Sequence, residues 1–186
     1  MPACGGSDAS PTDRASDASA PAPSVAHQTN DGELYAAVND ARRKWFVTHR
    51  EQDGEWQSGS FWRSGPMNSA IVTISGLTDE DVMPTGKGDL RISMTVANLA
   101  SAPDAQAVQF VYQPDGYSKA WLSEDGGEAN VTLYEAQMDG EFLKLGGSFS
   151  GVVLLPDRGN VSTDTDMARS FEIKDGSFSV RIRQQQ

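Results

Sequence analysis

Hydrophobic and polar side chains alternate along much of this chain with a period of two. The clearest stretch covers residues 90–96, where four apolar side chains alternate with Arg91, Ser93 and Thr95. The apolar members are Leu90, Ile92, Met94 and Val96. Strict alternation of this kind predicts a β-strand with one buried and one solvated face. Val108, Phe110 and Tyr112 repeat the pattern and predict a second strand of the same type.

Further segments combine β-branched and aromatic residues with turn signals on either side. They are residues 44–49, 56–62, 70–74, 117–122, 130–135, 142–145, 148–155, 171–174 and 177–182. Pro114-Asp115-Gly116 predicts a turn, and Asp175-Gly176 predicts the tightest hairpin in the sequence. A bulge or bend is expected at Gly146-Gly147, where glycines interrupt a strand pattern.

The pattern changes only near residue 30, where it predicts one short helix. Asn30 is a candidate N-cap, and Glu33 three residues later completes a capping-box pattern. Leu34, Tyr35 and Val38 then recur at helical spacing. We therefore expect a helix that begins at about residue 30 and ends near Arg42 and Arg43.

About nine or ten short strands without helical crossovers exclude parallel β/α folds. The predicted fold class is mostly β, with the short helix at its N-terminal side. A single antiparallel β-sandwich or a partly closed barrel fits this pattern, and we favour the sandwich.

Residues 1–29 have a different composition, dominated by Ser, Ala, Asp, Pro and Thr. Such a segment cannot bury enough apolar surface to offset the entropy of ordering, so we expect a disordered tether. The predicted organisation is a tether at 1–29 and one all-β domain at 30–186.

The start of the chain resembles the cleavage region of bacterial lipoprotein signals, on the residues Ala3-Cys4-Gly5-Gly6. Cys4 is the only cysteine in the chain, so an internal disulfide is excluded. The resemblance implies lipidation of Cys4, export to the bacterial cell envelope, and contact with the membrane through a lipid anchor only.

The C-terminal part resembles uncharacterised β-rich domains of bacterial lipoproteins. Two motifs carry the likeness: Gly147-Ser148-Phe149-Ser150-Gly151 and Gly176-Ser177-Phe178-Ser179-Val180. The resemblance implies that Phe149 and Phe178 are core residues. It carries over no active site.

The formal charge of -11 argues against nucleic acid as a partner, because phosphate backbones repel an acidic domain. The sequence has no Gly-x-Gly-x-x-Gly or Walker-type loop in the context that nucleotide binding requires. We therefore expect no cofactor.

Candidate metal ligands are weak. His27 lies in the predicted tether, and His49 has no clustered Cys or carboxylate partners in the sequence, so a zinc site is not predicted. Three acidic clusters lack calcium-loop spacing, and solvated turns explain each of them better. They lie at residues 79–81, at 124–128 and, as the best of the three, at Asp157, Asn160, Asp164 and Asp166.

The densest functional signal is a group of five aromatic residues within 18 positions: Trp45, Phe46, Trp56, Phe61 and Trp62. Neighbouring residues on a strand point to opposite faces, so one ring of each adjacent pair should lie outside the main core. Exposed rings beside basic residues suit a protein or glycan partner. The alternative is that the predicted helix covers them.

Three functional hypotheses follow. The first is a non-enzymatic envelope lipoprotein module that binds a protein or glycan through these aromatic residues. The second is a small-ligand carrier with an apolar cavity inside a barrel. The third is an envelope hydrolase that uses His49 or an acidic pair.

Overall fold

The computed structural model describes residues 27–52, 55–80, 86–99, 101–117, 119–124, 126–156 and 169–185. These residues form eleven strands and no helix. The strands are β1 His27–Val38, β2 Ala41–Gln52, β3 Glu55–Ser58, β4 Phe61–Ser64, β5 Ala70–Gly76, β6 Asp89–Ala97, β7 Asp104–Gln113, β8 Trp121–Leu122, β9 Glu128–Asp139, β10 Phe142–Leu154 and β11 Ser170–Arg183.

All eleven strands belong to one sheet in the order β3-β2-β1-β11-β10-β8-β7-β6-β5-β4, and β9 pairs with β10 beside this path. Every ladder is antiparallel. The mostly β, antiparallel fold class predicted from the alternation is therefore confirmed, as a single sheet that does not close into a complete ladder.

The two ends of the sheet meet because the end strands β3 and β4 are consecutive in the chain. Only Gly59 and Ser60 separate them. Two isolated bridges also join distant strands, one between Phe46 and Leu77 and one between Trp62 and Gln184. We call this region, where β3, β4 and the end of β11 converge, the seam.

One continuous apolar core fills the space that the curled sheet encloses. Trp45, Trp121, Phe110 and Phe178 are its largest fully buried side chains. The alternating residues of β6 are all buried, as the pattern predicts. Phe149 is buried as well, and its ring centroid lies 6.2 Å from that of Phe178, so the core position expected for both phenylalanines is confirmed.

The predicted N-terminal helix is wrong. Residues 30–43 form most of β1, the start of β2 and the two-residue turn between them. Asn39 and Asp40 have φ angles of 45° and 65°, as a type I′ hairpin turn requires. β1 is also paired with β11 on its other side, so two partner strands provide hydrogen bonds that outweigh a weak capping pattern.

The hairpin predicted at Asp175-Gly176 is also wrong, because β11 runs through both residues as one long strand. Asp175 adopts a positive φ of 51°, and the register with β10 shifts between Phe149 and Gly151. An Asp-Gly pair tolerates the left-handed conformation that both a tight turn and a bulge require. The dipeptide is therefore compatible with either structure, and in this protein it forms a bulge. The bulge or bend expected at Gly146-Gly147 does not interrupt β10, which pairs with β11 in continuous register there. The register with β9 does shift opposite these glycines, but the extra residue is Tyr134 of β9.

The expected count of nine or ten strands was too low. The predicted helix is replaced by β1, and the predicted strand at 56–62 divides into β3 and β4. In the opposite direction, the two strands expected between 142 and 155 are one strand, β10.

Candidate ligand-binding cleft

A cleft of about 410 Å³ opens at the seam. β3, β4 and the end of β11 supply its walls because these three segments converge there. The lining residues are Glu55, Trp56, Ser58, Ser60, Phe61, Arg183, Gln184 and Gln185. We call this the seam cleft. Its size falls in the range of about 300–1,000 Å³ that is usual for small-ligand sites.

The five aromatic residues singled out in the sequence do not form one surface. Trp45 and Trp62 are core residues, with exposed fractions of 0% and 3%. Their neighbours Phe46 and Phe61 are half-buried, so the expected division of each adjacent pair is confirmed.

Both buried indoles are held by hydrogen bonds to backbone carbonyl groups. Trp45 Nε1 donates to the Gly88 oxygen at 2.6 Å, and Trp62 Nε1 donates to the Glu141 oxygen at 3.1 Å. These two tryptophans are therefore structural and are not available as exposed rings for a partner.

Phe46 lies apart from the seam cleft. The Lys44 ammonium stands 4.4 Å from the centroid of its ring and 5.5 Å from that of Tyr35. An ion pair to Glu33 at 2.7 Å holds Lys44 in place. Of the five aromatic residues, only Trp56 and Phe61 line the cleft.

Trp56 is the central wall of the seam cleft, and three other side chains pack on it. The His49 ring stacks on the indole with centroids 3.4 Å apart and an interplanar angle of 17°. Phe142 contacts it edge-on at 6.0 Å, and the Arg183 guanidinium lies 5.0 Å from the ring. Trp56 is thereby held by side-chain packing as well as by the pairing of β3 with β2.

Beneath Trp56 lies a buried acid–base pair formed by Asp31 and His49. Asp31 Oδ2 and His49 Nδ1 are 2.5 Å apart, and both side chains are less than a tenth exposed. Asp31 sits in a β-bulge, since the register between β1 and β2 shifts between Asn30 and Gly32. Bulges commonly re-aim a side chain in this way.

Burial raises the pKa of Asp31 above its ordinary value. The hydrogen bond and the charge of His49 oppose this rise, as does the charge of Arg181, without cancelling it. The carboxyl group therefore binds a proton more readily than an exposed aspartate does.

Several polar side chains of the cleft are engaged by the fold itself. Ser58 Oγ donates to the Thr48 carbonyl at 3.0 Å, and Ser60 Oγ accepts the Ser75 backbone N–H at 2.8 Å. Gln184 Nε2 donates to Ser64 Oγ at 3.2 Å.

Charged groups of both signs remain at the cleft. Arg183 Nε donates to the Glu141 carboxylate at 2.9 Å, which leaves its terminal amino groups for other partners. Glu55 supplies a carboxylate and Gln185 a carboxamide. The cleft thus combines two partly exposed rings with a guanidinium group, a carboxylate and a carboxamide.

Within the described residues, His49 lies between Asp31 and Trp56. Its Nδ1 faces Asp31, and its ring face is covered by the indole. The hydroxyl groups of Ser58 and Ser60 are bonded to backbone groups. Ser148 and Ser150 lie on β10 as exposed strand residues.

A second cleft of about 520 Å³ lies on the other side of β4, near the end of β9. Its lining is more apolar and includes Leu99, Ala136 and Met138 beside Trp62. The turn at its rim places Met67 almost fully in solvent, with a positive φ of 51°.

The weak calcium candidates Asp157, Asn160, Asp164 and Asp166 lie outside the described residues, as does Cys4. Elsewhere, the described ranges hold no group of three or more side chains that could share a metal ion. They also hold no helix with the length and hydrophobicity that a membrane span requires.

Comparison with protein-family models, with curated proteins and with solved structures finds no significant match to this chain.

The sequence pointed to Trp56 and Phe61 but missed the polar part of the site. Glu55 stood beside a turn signal, and Arg183, Gln184 and Gln185 looked like an ordinary polar end of a strand. Asp31 was assigned to the start of a helix. The Asp31-Gly32 dipeptide was the only local signal of the bulge, and Gly32 indeed has a φ of 142°.

Proposed function

We propose that this protein is a non-enzymatic module of the bacterial cell envelope that binds an uncharged glycan segment in the seam cleft. The proposal rests on one observation. Two aromatic side chains, Trp56 and Phe61, line the same small cleft as three polar ones, Glu55, Arg183 and Gln185. Aromatic edges and faces suit the C–H surfaces of a sugar ring, and planar polar groups suit its hydroxyl groups.

The charge balance favours a neutral ligand over an ionic one. Arg183 is paired with Glu141, and Glu55 offers a second carboxylate at the same cleft. An anionic ligand would meet these carboxylates as well as the overall charge of -11. A cationic ligand would meet Arg183.

The packed interior weighs against the small-ligand carrier. A carrier of that kind needs an enclosed cavity within its strands, whereas here large buried rings such as Trp121 and Phe110 occupy that space. The hydrolase hypothesis has the Asp31–His49 pair in its favour, although Trp56 covers the histidine.

The envelope location rests on the sequence. The lipobox-like residues around Cys4 and the polar tether that follows them support a lipid anchor. Mass spectrometry of the protein expressed from its full native gene tests it: a diacylglyceryl adduct on Cys4 is expected and should disappear in Cys4→Ser. An unmodified Cys4 would remove the anchor from the proposal.

Binding can be tested by titrating a panel of neutral, acidic and basic oligosaccharides against the full chain, with ligand-observed NMR as the readout. We expect neutral members to bind, and Gln185→Ala to weaken that binding about two- to tenfold, the value of one neutral hydrogen bond. Gln137→Ala is the matched control, because Gln137 lines the second cleft.

Equal weakening by Gln185→Ala and Gln137→Ala would place the ligand elsewhere. Binding restricted to acidic oligosaccharides would contradict the charge argument. A complete failure of the panel to bind would refute the glycan proposal and favour a protein partner.

A further inference from the structure

Two ionisable side chains are buried directly behind the wall of the seam cleft. Asp31 and His49 are 8% and 9% exposed, and their closest atoms are 2.5 Å apart. At this distance a proton bound to the Asp31 carboxyl group changes the hydrogen bond that this group makes with His49.

The indole of Trp56 packs directly against His49 of this pair. His49 stacks on it at 3.4 Å, closer than any other ring contact in the described chain. β3 has only four residues and is paired with β2 alone, so few backbone contacts fix the position of Trp56.

Charged groups surround the pair and the indole on the neighbouring strands. Arg181 acts on Asp31, and Arg183 lies over the Trp56 ring. Carboxylates on three further segments balance them: Glu55 on β3, Asp139 on β9 and Glu141 beside β10.

We propose that Asp31 and His49 are positioning residues for Trp56, and that the protonation state of the pair regulates ligand binding at the seam cleft. The link to binding rests on the proposed glycan function, whereas the link between the pair and Trp56 stands apart from it.

A proton added to the Asp31 carboxyl group at acid pH has two consequences. It removes the carboxylate from a charge-assisted hydrogen bond, which is the stronger kind. It also removes the negative charge that faces Arg181, on the same strand that places Arg183 over the indole. Trp56 is then held less firmly, and the cleft loses part of its preformed shape.

The expected effect on affinity follows from linkage. Because Trp56 forms only part of the cleft wall, we expect a dissociation constant about three- to tenfold larger in the acid state. The loss of affinity should have the same pH midpoint as the structural change at Trp56.

Fluorine NMR of the full chain labelled with 5-fluorotryptophan tests the link to Trp56 without any ligand. The chain has four tryptophans, so four resonances are expected, and Trp56→Phe identifies the one of interest. We expect the Trp56 resonance to shift as the pH falls through the range in which the Asp31 carboxyl group, whose pKa is raised by burial, takes up a proton. The resonances of the buried Trp45, Trp62 and Trp121 should stay in place.

His49→Phe is the decisive variant because it keeps a ring under Trp56 and removes the hydrogen bond through which Asp31 acts. It should abolish the titration of the Trp56 resonance. Asp31→Asn keeps a hydrogen-bond acceptor but cannot ionise, so it should abolish the titration as well. The other three resonances report whether each variant is folded, and His49→Gln replaces any variant that is not.

A Trp56 resonance that does not titrate, or that still titrates in His49→Phe, would overturn the inference. If Trp56 titrates while glycan affinity is the same at both ends of the pH range, regulation of binding is refuted. Failure of every glycan to bind contradicts the proposed function alone, since the fluorine titration still decides the role of the pair.

Discussion

The adjacent residues Trp45 and Phe46 test which face of β2 stabilises the domain. Trp45→Ala removes a fully buried indole and the N–H that donates to the Gly88 carbonyl at 2.6 Å. Phe46→Ala is the matched control one position along the chain. Its ring is half-buried, with the Lys44 ammonium 4.4 Å from the centroid.

The losses in the free energy of unfolding should differ several-fold between the two variants. Truncating a buried large aromatic residue to alanine costs about 3–5 kcal/mol. Losing the hydrogen bond to the partly buried Gly88 carbonyl adds about 0.5–1.5 kcal/mol. For Phe46→Ala, partial burial and a lost cation–π contact give about 1 kcal/mol.

Urea unfolding followed by far-ultraviolet circular dichroism measures these values. With a slope of about 1–3 kcal/mol per molar urea, Trp45→Ala should lower the midpoint by about 2 M or more. A loss of this size can exceed the total stability of a domain, which is about 5–15 kcal/mol. Trp45→Phe, which keeps a ring but loses the N–H, should then fall between the other two variants. Equal losses for Trp45→Ala and Phe46→Ala would refute the assignment of faces.

Three further predictions concern the pair, the core and the first hairpin. Burial raises the folded-state pKa of Asp31 above 3.8, so the native state binds the proton more tightly than the unfolded state does. The contribution of Asp31 to the free energy of unfolding therefore falls as the pH rises from the unfolded-state pKa through the folded-state pKa. The stability advantage of Asp31→Asn over the wild type should therefore grow with pH in that range, as urea unfolding at a series of pH values measures. Gly147→Ala would place a methyl group 2.7 Å from the Phe178 ring and should cost about 1–3 kcal/mol by thermal unfolding, whereas the neighbouring Ser148→Ala should be nearly neutral. Asn39→Ala should cost about 1 kcal/mol or more in the same assay, because it removes a side-chain hydrogen bond of 2.8 Å to the β11 backbone and places alanine at a positive φ.

Each of the three has an outcome that contradicts it. A pH-independent difference between Asp31→Asn and the wild type would show that the carboxyl group is not perturbed by burial. A tolerated Gly147→Ala would mean that the Phe178 ring can move aside. An Asn39→Ala variant as stable as the wild type would show that the turn does not depend on the asparagine.

Two segments of the chain have local sequences that fit more than one conformation. Asn30, Glu33 and the following apolar residues fit a helix locally, yet Leu34, Ala36 and Val38 also alternate and are all buried in β1. Asp175-Gly176 fits a hairpin locally, yet the same two residues form a bulge within β11. In both cases pairing with distant strands chose between two conformations that the local residues allow.

The candidate site was predictable only where it consists of aromatic residues. The adjacent pairs at residues 45–46 and 61–62 indicated that some rings lie outside the core, and Phe61 does reach the seam cleft. Arg183 and Gln185 come from the opposite end of the chain, more than 120 residues away from Trp56. No local pattern relates them, because it is the curvature of the sheet that brings β11 beside β3.

The amino-acid sequence by itself determined the antiparallel β class and the buried face of β6. These depend on side-chain alternation and burial, which local composition controls. The tertiary structure alone decided the strand order, the meeting of β3 with β4 and the burial of Asp31 against His49. Strand pairing between residues far apart in the chain, together with one bulge that re-aims a carboxylate, produced the seam cleft and the acid–base pair behind it.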